Sequence, residues 1–254
     1  MLSNILIIIA CVCAAILFLF LVTRTSTAPA RKESNDFTGA VVAVIGTTYA
    51  VLLAFMLGGV WSMFQQAEAN EEQEANAVVN IYRIAAQLKD SNGAQIQQLC
   101  RRYADNAVDR EFPALARNQV MGPEGSELID QLWAQAGQSQ AHADKYSIAI
   151  YQLMEELRSL TEHRRLRAME GREHLPGILW AVLIAGGIIT VAASCFFGVP
   201  SFRFHLLQVL VLSFLIALVL VAIADIDRPY QGVVSVEPEG FLYAIRTLHG
   251  QTSP

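Results

Sequence analysis

GAVVAVIGTTYAVLLAFMLGGVWSMFQQAEANEEQEANAVVNIYRIAAQL, Gly39 to Leu88, is the stretch that decides the fold. Its first part, Gly39 to Phe64, is apolar and holds no charged side chain. At a rise of about 1.5 Å per residue, such a run crosses a hydrocarbon core of about 30 Å with a little to spare. Its second part, Gln65 to Leu88, is rich in Ala, Gln and Glu and has no Pro or Gly to stop a helix. The stretch therefore predicts one long helix, half in lipid and half in water.

The membrane half carries small residues at fourfold or nearly fourfold spacing: Gly39, Ala43, Thr47, Ala50, Ala54 and Gly58, with Gly46 beside them. They share one face, where a second helix can approach closely. Ile45, Leu52, Met56, Val60 and Met63 put their bulk elsewhere. In the water half, Phe64, Ala67, Val78, Ile81, Ala85 and Leu88 follow the mixed three- and four-residue spacing of a helix with one buried face.

Composition agrees with a membrane protein. Of the 254 residues 54% are hydrophobic and 16% charged, and mean hydropathy is +0.38. A net charge of −5 argues against nucleic-acid binding. Cys11, Cys13 and Cys195 lie in apolar runs and Cys100 stands alone in a polar segment, so neither a disulfide framework nor a zinc spacing emerges. No nucleophile elbow, zincin helix, phosphate loop or dinucleotide fingerprint occurs. The chain reads as a non-enzyme that needs no cofactor or metal.

The expected fold class is an all-α integral membrane protein. It has four transmembrane helices, with a helical extramembrane domain inserted between the second and third. Residues 1–64 hold the first two spans, at about 2–22 and 39–64. The first lacks a preceding Lys or Arg, and Ala28 and Ala30 lie too far on for a signal cleavage site, so it reads as a retained span. Thr23 to Thr38 reads as a loop, with Asp36 or Thr38 capping the second helix.

Residues 65–174 form the helical domain, with helices over Gln65–Lys89, Ala94–Glu111, Glu124–Ala136 and Ala141 to about Arg172. Ser91-Asn92-Gly93, Phe112-Pro113 and Gly122-Pro123 mark the junctions. Residues 175–226 hold the third and fourth spans, at about 178–199 and 204–224, joined by a tight turn. Residues 227–254 form a tail, with a brief extended piece around Val233, Val234 and Val236. An amphipathic helix then carries Phe241, Leu242, Ile245 and Leu248 and suits a membrane surface. The short loops carry Arg24, Arg31, Lys32 and Arg203, and the positive-inside rule places them in the cytoplasm and the domain outside.

Candidate functional residues fall into three groups. Gly46, Tyr49, Ala50, Ala54, Gly58 and Trp61 are candidates for pore lining or helix packing. Glu68, Glu71, Glu72 and Glu74 would concentrate cations as a ring at the mouth of an oligomeric pore, although the plainer reading of such a run is a solvated helix end. Asp225, Asp227 and Arg228 lie at the edge of the fourth span, where an ion pair or a turn before Pro229 accounts for them. Arg83, beside Tyr82, is a candidate for docking this tail on the long helix. His163, Glu170 and His174 share a face, but their spacing is too wide for a metal site.

Two segments resemble a known family. Gly46-Thr47-Thr48-Tyr49-Ala50-Val51-Leu52-Leu53-Ala54-Phe55, with Trp61, Glu74-Ala75 and Tyr82-Arg83, is similar to the hallmark of a bestrophin-like family of bacterial membrane proteins. The tail Ala224-Asp225-Ile226-Asp227-Arg228-Pro229-Tyr230-Gln231-Gly232, ending in Val236, resembles the same family. The order of features matches over nearly the whole chain. The resemblance implies a multi-pass protein of the bacterial inner membrane. Bestrophins are anion channels with four membrane helices per subunit and an oligomeric pore lined by the second. They keep the large domain cytosolic, opposite to the side that the loop charges favour.

The spans lack midplane charges, which argues against ion-coupled transport. Passive ion conduction by a channel-like homo-oligomer is the expected role, with the lipid bilayer and an inorganic ion as partners. The alternative is a non-enzymatic sensor or assembly scaffold.

Overall fold

The computed structural model describes residues 2–26, 28–88, 91–140 and 147–250, and within them the chain is helical, with no strand. Its elements are α1 (Leu2–Thr25), α2 (Ala28–Glu33), α3 (Asn35–Leu88), α4 (Ser91–Asn106), a π-helical turn (Ala107–Glu111) and α5 (Phe112–Ala116). After these come α6 (Glu124–Gln140), α7 (Ser147–Glu170), α8 (Gly177–Cys195), α9 (Phe202–Ile226) and α10 (Glu239–Leu248). Among the described residues four helices are long and apolar enough to cross a membrane: α1, α3, α8 and α9. As expected, α3 is one helix, 54 residues long, about 80 Å end to end.

Several boundaries differ from the sequence reading. The loop expected over Thr23–Thr38 contains α2, and α3 begins at Asn35, ahead of both candidate caps. Asp36 instead places its charge in the first turn of α3. Phe112-Pro113 does not break the chain. Pro113 has no N–H to bond the carbonyl of Asp109, and the helix absorbs the loss by widening into the π turn before α5 resumes. Ser91-Asn92-Gly93, expected as a break before a helix from Ala94, is instead the first turn of α4, while Lys89, the expected end of the first domain helix, and Ala141, the expected start of the last, lie outside the described residues. The extended piece at Val233–Val236 is a bend, closed by the Val236 N–H donating to the Pro229 carbonyl at 2.7 Å.

The chain divides into two compact units. One comprises residues 1–62 and 174–227, the other 63–173 and 228–254. In the first, Ala15, Leu19 and Val22 of α1 pack with Cys195 and Val209. A second cluster joins Val60, Leu175, Leu183 and Ile223, with Leu52, Leu53, Met56 and Leu57 of α3 against it. Outward from these clusters point Leu6, Leu17, Phe55, Ile188 and Leu215, all exposed. In water such surface would be costly, whereas against lipid chains it is the expected face of a membrane bundle. The turn between α8 and α9 is clasped by Asn35, whose amide donates to the Gly198 carbonyl at 3.1 Å and accepts its N–H at 2.8 Å.

The second unit is a helical bundle. Ala67, Val78, Ile81, Ala85 and Leu88 of α3 are buried, as their spacing predicts, together with Ile96 and Tyr103 of α4, Leu132 of α6, and Leu153, Leu157 and Leu160 of α7. The tail helix α10 corrects another expectation. Its apolar face does not wait for a membrane: Phe241, Ala244 and Leu248 are buried in this unit.

Candidate functional site

In the first unit, α3 has two unlike faces. On one, Tyr49 is buried and its hydroxyl donates to the Leu183 carbonyl of α8 at 2.9 Å. Its ring lies on Gly186, where an added Cβ would stand 2.5 Å from Cδ2. The glycine pair at 186–187 thus gives the ring its seat. On the other face Ala43, Thr47, Ala50, Ala54 and Gly58 are exposed. A Cβ added at Gly46 or Gly58 would meet nothing within 4 Å beyond its own helix. Trp61 is 46% exposed. The candidate residues on α3 therefore separate: Tyr49 packs within the chain, while the small stripe is left open.

The acidic run divides as well. Glu68 and Glu72 are exposed, but Glu71 and Glu74 are 3% and 0% exposed, which overturns a uniformly solvated helix end. Glu74 accepts two bonds from Arg167, from Nε at 2.7 Å and Nη2 at 2.9 Å, and a third from the Tyr103 hydroxyl. Arg167 also donates from Nη2 to Glu111, which the π turn carries inward, and Arg164 donates to Glu111 at 2.7 Å. The remaining guanidinium surface of Arg167 lies over the rings of Phe112 and Phe241, at 4.9 and 5.8 Å. Burial opposes its charge, but Glu74 and Glu111 outweigh that and hold its pKa well above the ordinary value. Glu74, Glu111 and Arg167 are thus paired in a dry core, and the partly exposed Arg164 completes the balance at its edge.

Glu71 serves the tail. Its carboxylate accepts the backbone N–H groups of Gly240 and Phe241, at 3.3 and 3.0 Å, in the first turn of α10. These are donors that a helix start leaves unpaired, and Pro238 at the cap position makes no side-chain bond to them. Burial nevertheless pushes Glu71 up to about 7, against the lowering effect of the two backbone donors.

The expected docking residue, Arg83, is exposed. Its neighbour Tyr82 accepts from Arg101 at 2.7 Å, and Arg101 donates to the Leu248 carbonyl at 3.0 Å, so Arg101 holds the far end of α10. Asp227 is 4% exposed and accepts the Leu175 N–H at 2.7 Å and the Trp180 Nε1–H at 3.3 Å, which ties the end of α9 to the start of α8. Asp225 is half-buried, while Arg228 is exposed and reaches the Gln231 amide oxygen at 3.5 Å, not Asp227.

His163 and Glu170 are both joined to Asn70 of α3. Asn70 donates to the Glu170 carboxylate at 3.2 Å, and the Tyr230 hydroxyl donates to the same oxygen at 3.1 Å. The tail motif is thus built of structural fasteners. Gly232 adds a backbone at φ 96°, which favours glycine.

Sequence reasoning missed Arg167, Arg164 and Glu111, and it left Glu71 and Glu74 as surface charges. A signal was present. Glu71 and Glu74 sit between Ala67 and Val78 at spacings of four, three and four, inside the apolar stripe of α3. Arg164 and Arg167 likewise continue the stripe of Leu153, Leu157 and Leu160 on α7. Opposite charges occupying buried positions on two helices of one bundle are candidates to pair.

Four apolar spans and a helical bundle with a buried cluster of ion pairs define a multi-pass membrane protein, helical throughout its described residues. The family model described as Bestrophin-like domain matches residues 9–241, and the chain belongs to this family. A crystal structure of a bacterial bestrophin homolog from Klebsiella pneumoniae is similar at a TM-score of 0.70 and 12% identity, over 97% of this chain and 100% of that one. A point variant of that homolog gives 0.73 at 11% identity, covering 96% and 98%. A variant of a protein described simply as a membrane protein gives 0.75 at 12%, covering 97% and 99%. At such identities the similarity shows a shared fold. No curated protein matches the chain in sequence.

Proposed function

We propose that the protein is a channel-like homo-oligomer of the bacterial inner membrane that passes inorganic ions passively. The open small-residue face of α3 carries this reading. Thr47, Ala50, Ala54 and Gly58 lie exposed in a charge-free membrane run, and among the described residues nothing beyond the helix itself stands within 4 Å of a Cβ added at Gly46 or Gly58, whereas the opposite face is packed through Tyr49, Leu53 and Val60. Oligomerisation around that face lines a path with small, hydroxyl and apolar groups, of the kind that conducts when wet and closes by dewetting. Membership of the Bestrophin-like family supports the same role. Glu68 and Glu72, exposed just past the span, tune the potential near one mouth of the path. Purified protein in a planar bilayer should give discrete, saturable current steps. Silent bilayers combined with a specific bound protein would favour the sensor or scaffold reading.

A further inference from the structure

The Ser and Thr hydroxyls of the spans fall into two sets. In α1, α8 and α9 every described one turns back on its own helix. Thr23 donates to the Phe20 carbonyl at 2.9 Å and Thr25 to that of Leu21 at 3.1 Å. Thr190 donates to Gly186 at 2.7 Å, Ser194 to Val191 at 2.7 Å and Ser213 to Leu210 at 3.1 Å. Such back-bonding is how a hydroxyl is satisfied against lipid. The membrane part of α3 differs. Among the described residues the hydroxyls of Thr38, Thr47, Thr48 and Ser62 have no hydrogen-bond partner, and the last three residues are exposed.

At 3.6 residues per turn, Thr47, Thr48 and Ser62 share an arc of about 100° on the side away from Tyr49. Thr47 belongs to the open stripe itself. It stands about 12 Å along the helix from Gly39, where the apolar run begins, and so lies deep in the span. Its stripe neighbours Ala43, Ala50 and Ala54 present only methyl groups, and no charge lies in the run. An unmet hydroxyl in hydrocarbon is costly, whereas one that faces water or a partly dehydrated ion is satisfied.

We propose that Thr47 is the specificity-determining residue of the ion path: its hydroxyls, one from each copy, replace part of the water shell of the passing ion. This inference rests on the channel reading above. A hydroxyl offers both a donor and acceptor lone pairs, so it serves an anion or a cation. It therefore discriminates among ions of one sign by how readily each gives up water, and the charges near the mouth set the sign. The competing use of the same hydroxyl is a dry bond between copies.

The test records full-length protein in planar bilayers with chloride against iodide and with sodium against caesium. Thr47→Val keeps the shape and removes the hydroxyl. It should shift the permeability ratio within the conducted series by roughly two- to tenfold, the worth of one hydrogen bond. Thr47→Ser should keep the parent ratio, and so should Thr190→Val, whose hydroxyl is spent on Gly186. If Thr47→Val does not assemble on native gels, Thr47→Ala takes its place. A conducting parent whose ratios ignore loss of the hydroxyl overturns the ion contact alone, and a silent parent overturns the channel reading with it. Independently of current, Thr47→Cys, with Cys11 and Cys13 changed to Ser, should react in liposomes with a charged methanethiosulfonate. A thiol there that stays unlabelled favours the dry bond and overturns the proposal.

Discussion

Arg167 and Glu74 stand 93 positions apart in sequence and meet in a two-bonded pair from which water is excluded on both sides, each at 0% exposure. Each is a liability without the other, because a lone buried charge is far more costly than a paired one. Glu111 and Arg164 extend the pair into a chain of alternating charge. The α3 helix, the π turn and α7 are thereby locked in one register, which a wholly apolar core would specify less narrowly.

Arg167→Leu strands Glu74 and weakens the hold on Glu111, and should cost about 3–5 kcal/mol of stability. Arg158→Leu removes an arginine whose partner, Glu155, is on the surface, and should cost within about 1 kcal/mol. Denaturant unfolding of the two variants, followed by circular dichroism, compares them. Equal midpoints would mean that the buried chain of charges does not hold the bundle.

Glu71 makes tail docking sensitive to pH. Its value in the folded protein, about 7, is above the ordinary carboxylate value of 4.5, so the folded state binds this proton more tightly than the unfolded state. Stability from this group is fully present below about 4.5 and is lost as pH rises to about 7, by on the order of 1–3 kcal/mol. Protease cleavage of the tail should be slower at pH 5 than at pH 8. Glu71→Gln, which cannot ionise, should flatten that difference, and an unchanged pH profile in the variant would sink the assignment.

How far the sequence carries depends on the range of the interaction. The spans are legible because the absence of charge over some twenty residues is a local property, and α3 is legible as one helix because nothing from Gln65 to Leu88 interrupts it. Glu74 and Arg167 are not legible in the same way. Each is an ordinary residue for a solvated helix, and only the partner on another element makes burial tolerable. Pro113 misleads for a different reason, since a proline predicts a break and the π turn offers a less costly response. The tail's amphipathic face is readable, but whether lipid or protein covers it depends on Glu71, which lies 170 residues from Phe241.

The two faces of α3 should respond oppositely to added bulk. Gly186→Ala pushes a methyl group into the Tyr49 ring and should lower the melting temperature. Ala54→Leu or Gly58→Leu meets open space within the subunit, so the fold should survive while assembly on native gels changes. Met56→Leu, a volume-conserving change on the packed side, should leave both readouts near the parent. Loss of fold in Ala54→Leu would show that the stripe serves the subunit rather than its assembly.

Loop charge predicts that the helical domain lies outside the cytoplasm, with Arg24, Arg31, Lys32 and Arg203 inside. Arg164, Arg165, Arg167 and Arg172, close before the third span, favour the reverse, but long segments translocate with less regard for charge, so the short loops carry more weight. A reporter active only in the periplasm and fused after Leu88 should work, and a cytoplasmic reporter at the same point should stay dark. The reverse pattern would place the domain in the cytosol, as in bestrophins.

An ion path lined by the open face of α3 must be reachable from the water phase. Single-channel current, recorded while a charged thiol reagent is added from the water phase, tests it most directly. The exposed Cys11 and Cys13 are first replaced by Ser, since they would otherwise react, and Cys100 and Cys195 are buried. Ala54→Cys places a thiol on the open face, and Leu53→Cys places one on the packed face. Current steps should change with the reagent at Ala54→Cys and stay unaltered at Leu53→Cys. Equal modification at both positions, or no steps from the unmodified protein in any salt, would contradict it.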